Sequence, residues 1–92
     1  NLRPSVALLA DVIRNPAFPA ADLERNRRNT LAMIQQEKVE PFAMALRVLP
    51  ALLYGADHPY GIPLTGSGTE ASVRAMTREQ LAAFHRAWFR PN

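Results

Sequence analysis

Ninety-two residues allow at most one small domain, and the lack of cysteine excludes disulfides and thiolate metal sites. The 48% apolar share is ordinary for a globular chain, and no apolar run approaches the ~20 residues that a membrane span needs, so a soluble chain without a membrane partner is expected. The net charge of +3 raises the question of nucleic acid, but the one basic cluster, Arg25, Arg27 and Arg28, lies beside Asp22 and Glu24 with no interleaved aromatics; it reads as a solvated helix face, and no nucleic-acid partner is expected.

In the first segment Pro4 suits an opening helical turn, Val6, Leu9, Ala10 and Ile13 form one stripe, and Asn15-Pro16 stops the helix. A second helix has Asp22 and Glu24 in its early turns, where acidic groups favour the positive end of the dipole, and Leu23, Leu31 and Ile34 on one face. It should run to about Glu40, because Pro41 disfavours helical geometry in the residue before it. Pro41 opens a third helix with an expected inward stripe of Phe42, Leu46, Leu49 and Leu53, a bend at Pro50 and a cap at Gly55. A loop rich in glycine and proline runs to Gly68, and Thr69 caps a short helix over Glu70 to Ala75. Thr77 and Gln80 make a capping box for the last helix, whose stripe is Leu81, Phe84 and Trp88 and which ends at Arg90-Pro91. The fold class is therefore mainly α, about five helical segments over 1–92 without a convincing strand.

The loop carries Leu52-Leu53-Tyr54-Gly55-Ala56-Asp57-His58-Pro59-Tyr60-Gly61 and then Gly66-Ser67-Gly68-Thr69-Glu70, a density of Gly and Pro that describes a specifically shaped connection. Together with Leu81-Ala82-Ala83-Phe84-His85-Arg86-Ala87-Trp88-Phe89-Arg90-Pro91-Asn92, Leu8-Leu9-Ala10-Asp11, Asn15-Pro16-Ala17-Phe18-Pro19 and Glu24-Arg25-Asn26-Arg27, it resembles the insulinase, pitrilysin and mitochondrial-processing-peptidase family of zinc peptidases, the enzymes of the inverted H-x-x-E-H motif. The resemblance spans essentially the whole chain but only the middle of one family lobe. It implies that these helices form a single partial domain over 1–92, the helical part of an α+β peptidase lobe whose sheet strands lie outside the chain. It also favours a periplasmic setting.

In that family two histidines and a glutamate hold zinc, and a second glutamate activates the metal-bound water. No H-x-x-E-H occurs here, and His58 and His85 lie far apart. Aligned on the Glu24-Arg25-Asn26-Arg27 helix start, the resemblance puts the ligand glutamate at Met33 and a supporting glutamate at Asn26; neither position is acidic. Glu37 is the nearest carboxylate, one turn beyond Met33, but a shift of about 6 Å along the helix is more than a zinc bond absorbs, so it reads as a solvent-side or loop-capping residue. His58 reads as a loop histidine whose ring bonds the backbone and holds the turn before Pro59. His85 reads as a partly buried packing residue, and Trp88 and Phe89 as core or interface aromatics.

No catalytic, metal or cofactor residue is therefore expected in this chain; the family's zinc would sit in its active lobe. The resemblance implies a non-catalytic lobe that adds wall to a peptide-binding chamber, with a second peptidase-like lobe or subunit and a peptide substrate as partners. Helix faces lacking their sheet should make the isolated chain self-associate. Two alternatives stay open: an active zinc endopeptidase lobe with H-x-x-E-H before Asn1 and Glu37 as ligand, and a free-standing helical interaction or nucleic-acid-binding module.

Overall fold

Five helices and no strand form among the described residues, 1–90, of the computed structural model: α1 (Leu2–Arg14), α2 (Ala20–Glu37), α3 (Pro41–Tyr54), α4 (Glu70–Ala75) and α5 (Arg78–Trp88). The chain is mainly α. No helix among these residues is long and apolar enough to cross a membrane. Pro91, expected to end the last helix, lies outside the described residues. The chain divides into two units, one of Asn1–Leu23 with the segment from Thr77 onward, the other of Glu24–Met76.

The helix starts follow from short-range chemistry. Thr69 Oγ1 accepts the Ser72 N–H at 3.1 Å while Ser72 Oγ accepts the Thr69 N–H at 3.2 Å, and Thr77 and Gln80 repeat the exchange at 3.2 and 2.8 Å. Both boxes satisfy amides that a helix N-terminus leaves without partners. At the α2–α3 junction the expectation of helix to Glu40 is corrected. α2 stops at Glu37, and Glu40, in extended backbone (φ −91°, ψ 119°), is the N-cap of α3, its carboxylate accepting from the Phe42 and Ala43 amides at 3.2 and 2.5 Å. A residue that caps the next helix cannot also lie inside the previous one.

The inward face of α3 also differs from the expected stripe. Phe42, Leu49 and Leu53 are exposed and only Leu46 of the four is partly covered; the covered positions are Ala43, Leu46, Arg47, Pro50 and Ala51. That set follows the helical repeat as well as the apolar one does, but it includes an arginine and a proline, which apolar periodicity passes over. Pro50 is fully buried, and α3 continues through it to Tyr54. Having no N–H, Pro50 leaves the carbonyl of Leu46 without its intrahelical donor; the Leu64 amide from the following loop takes that carbonyl at 3.1 Å. Gly55, at φ +90°, caps the helix as expected.

In this unit Ile34 of α2 is wholly buried, and polar clasps do much of the tethering. Arg27 donates to the carbonyls of Val73, Arg74 and Met76 at 2.5, 2.8 and 2.7 Å, closing the C-terminal end of α4. At the other end of α4, Glu70 accepts from Gln35 at 2.8 Å and from Lys38. The order Arg27 and Gln35 on α2, then Lys38 just beyond it, thus meets α4 from its C-terminus to its N-terminus, so the two helices run antiparallel. Arg27 is 15% exposed, which corrects its reading as part of a solvated face: it lies on the covered stripe with Leu23, Thr30, Leu31 and Ile34.

In the unit formed by α1 and α5, His85 Nε2 lies 2.7 Å from the carbonyl of Ile13. A carbonyl only accepts, so this nitrogen carries the proton and caps the last turn of α1. The His85 ring also meets Phe18 edge-on at 5.8 Å and stacks on Phe89 at 4.9 Å, in keeping with a partly buried packing role. Phe18 has φ +46°, a conformation unfavourable for a side chain with a Cβ, and Arg78 grips it by donating to the carbonyls of Phe18 and Ala17 at 2.8 and 3.1 Å. Leu81 is partly covered, while Phe84 and Trp88 are exposed, so neither is core in this chain.

Candidate functional site

The residues of interest lie on α2 and on the loop that follows α3. Asn26 and Met33, seven residues apart, are both exposed, Met33 by 47%. Glu37 is covered instead: Oε2 receives Arg47 Nη1 at 2.6 Å and Ser67 Oγ at 2.7 Å. Arg47 reaches further, from Nη1 to Ser67 Oγ at 2.7 Å and from Nη2 to the carbonyl of Gly68 at 2.9 Å. Since the Ser67 proton goes to Glu37, the 2.8 Å contact between Ser67 and Thr65 is donated by the Thr65 hydroxyl. Arg47 and Glu37 keep only 11% and 13% of their side chains exposed.

The clasp fixes ionisation as well as shape. The Ser67 hydroxyl bond, and then the Arg47 guanidinium, hold the Glu37 carboxyl below its usual range against the opposing effect of burial. Glu70 is held down to about 2, first by Lys38 and then by Arg74. Both carboxylates are committed anions, Glu37 held by a cation and a hydroxyl and Glu70 by two cations and the Gln35 amide.

Could this chain hold zinc? At the positions on α2 that the resemblance singles out, the donor set does not fit. Met33 offers a thioether and Asn26 a neutral amide on α2, while the Glu37 oxygen nearest the clasp is already shared by a guanidinium and a hydroxyl. No three His, Asp or Glu residues among those described are grouped to bind a metal ion. The solvent-side reading of Glu37 is corrected, since its side chain is only 13% exposed; the geometry matches a carboxylate that holds the loop. His58 behaves as its sequence context suggests: Nδ1 accepts the Tyr60 N–H at 3.1 Å and ties the turn across Pro59.

Sequence reasoning gave no tethering role to Arg47, Ser67, Arg27 or Glu70. One signal for Arg47 was available. A single cation inside an otherwise apolar helix, one turn before an internal proline, asks for a buried anion, and Glu37 stands ten residues upstream.

The chain is 38% identical over 91 residues, 99% of its length, to proteins named uncharacterized zinc protease from Mycobacterium tuberculosis and Mycobacterium bovis. A protein of the same description from Mycobacterium leprae is 39% identical over 85 residues. The similarity supports a zinc-protease family for this chain. The chain spans about one fifth of the length of these curated relatives, 20% and 18%. No family model matches the chain, and no solved structure matches it.

Proposed function

We propose that this chain is the helical part of a zinc-peptidase lobe of the insulinase and pitrilysin type, and that the lobe is non-catalytic, adding wall and contacts to a peptide-binding chamber completed by a second lobe or subunit. One observation carries the reading: α2 has Met33 and Asn26 where that resemblance calls for carboxylates, and the one nearby carboxylate, Glu37, is engaged by Arg47 and Ser67. Zinc in the active lobe of such an assembly would supply the activated water; the residues of this chain would only line and brace the chamber.

The test uses the intact parent protein. Met33→Ala should leave peptide hydrolysis and zinc content nearly unchanged. Glu37→Gln should lower the unfolding temperature while the folded protein keeps its zinc. Loss of both zinc and activity in Glu37→Gln, in protein shown to be folded by circular dichroism, would overturn the reading in favour of an active lobe with Glu37 as ligand.

The same proposal accounts for the exposed apolar side chains of α1, where Leu2, Val6, Leu9 and Val12 stay in solvent. Faces of this kind mark surfaces that a neighbour covers. Separated from its parent, the chain should associate with itself, and sedimentation at rising concentration should show the mass increase; a concentration-independent monomer with a sharp, high melt would oppose it.

A further inference from the structure

We infer that the loop 54–61 presents a binding surface for a cationic side chain, an arginine or lysine of a peptide segment, made by the rings of Tyr54, His58 and Tyr60 and the carboxylate of Asp57. The three rings form a closed triangle. Tyr54 stacks on His58 at 5.6 Å, and Tyr60 meets them at 5.9 and 5.5 Å. They are not core, since Tyr54 and Tyr60 are 55% and 70% exposed.

The backbone beneath them is tightly determined. The His58 N–H bonds the Gly55 carbonyl at 3.3 Å, the Gly61 N–H bonds the His58 carbonyl at 2.7 Å, and the Tyr60 N–H bonds the His58 ring. Gly61 sits so close to Gly55 that a Cβ there would fall 2.1 Å from its carbonyl oxygen. Exposed aromatics held in place before binding lose little conformational freedom when a ligand arrives, which is what makes tyrosine effective at recognition surfaces.

Charge selects the ligand. Asp57 is the one formally charged residue between Arg47 and Glu70, in a chain whose net charge is otherwise basic. Ring faces are negative, so tyrosine faces and a carboxylate both attract a cation, and the stretch has no lysine or arginine to draw an anion. Exposed Leu53 and Ile62 beside the loop suit apolar residues flanking that cation. This surface goes beyond the lobe reading and does not require the parent to be a peptidase.

The experiment titrates the full chain with the blocked peptide Ala-Leu-Arg-Leu-Ala and with its citrulline and glutamate counterparts, following the ring protons of Tyr54 and Tyr60 by NMR. The arginine peptide should shift those signals and bind about five- to tenfold tighter than the citrulline peptide. Asp57→Asn should remove most of that preference, and Asp57→Lys should turn it toward the glutamate peptide. Asp57 is exposed, so both variants should keep the far-ultraviolet circular dichroism of the parent chain. Equal binding of arginine and citrulline peptides, unmoved tyrosine signals, or an unchanged preference in Asp57→Asn would each overturn the inference. Zinc content and hydrolysis do not enter this readout, so its failure is distinguishable from failure of the peptidase reading.

Discussion

Pro50 and Leu64 are joined through one carbonyl. Pro50 cannot donate to Leu46, and the Leu64 amide fills the place at 3.1 Å, so a missing hydrogen bond inside α3 becomes the anchor of the loop. The internal proline thus brings the chain back against the helix and carries Thr65 and Ser67 to Glu37 and Arg47.

Pro50→Ala should therefore loosen the loop. The new alanine amide competes with Leu64 for the Leu46 carbonyl, and the loss of the buried ring adds to the effect. Amide exchange should quicken at Leu64 more than at residues of α5. Equal protection of Leu64 in the variant and the parent chain would count against the shared-acceptor account.

Glu37 and Arg47 should be strongly coupled. Each single change, Glu37→Gln or Arg47→Met, leaves a covered polar group without its partner, whereas the double change removes both. The loss of stability in the double variant should be clearly smaller than the sum of the two single losses. Denaturant unfolding of the four chains measures it, and additive losses would mean that the clasp is merely a surface contact.

Acid should unfold the Glu24–Met76 unit through the same carboxylates. Glu37 and Glu70 both hold their protons less tightly in the folded chain than in the unfolded one, so the unfolded chain binds more protons as the pH falls and stability falls with it. The Glu70 contribution is complete above its ordinary value of 4.5 and is lost on descending to about 2. Glu70→Gln should flatten the dependence of the unfolding midpoint over that range. Added salt should reduce the effect in the parent chain, because Lys38 and Arg74 are substantially exposed.

Phe18 should respond to substitution in an unusual order. At φ +46° any Cβ is unfavourable by about 1 kcal/mol or more, while glycine is at ease there. Phe18→Ala gives up the contact with His85 and keeps the backbone penalty; Phe18→Gly gives up the contact and relieves it. The glycine variant should be at least as stable as the alanine variant, the reverse of the usual ranking in a regular element. Thermal melts of the two decide this.

The sequence by itself determined the elements whose causes are local. Thr69, Thr77 and Gly55 act on amides and carbonyls a few residues away, so α4, α5 and the end of α3 could be read from neighbours in the chain. His58 was legible for the same reason, its partner being two residues on. Tertiary structure decided which face of each helix is covered and what the charged residues do. Arg27 meets carbonyls 46 to 49 residues away, Ser67 meets Glu37 across 30, and the Leu46 carbonyl freed by Pro50 finds its donor in the loop. Apolar periodicity does not register such pairs, because an arginine or glutamate counts as a solvent residue until its counterpart is brought beside it. That is why α3 turned Ala43, Arg47 and Pro50 inward while Phe42 and Leu53 stayed exposed: burial of one matched ion pair and one proline fixed the rotation of the helix.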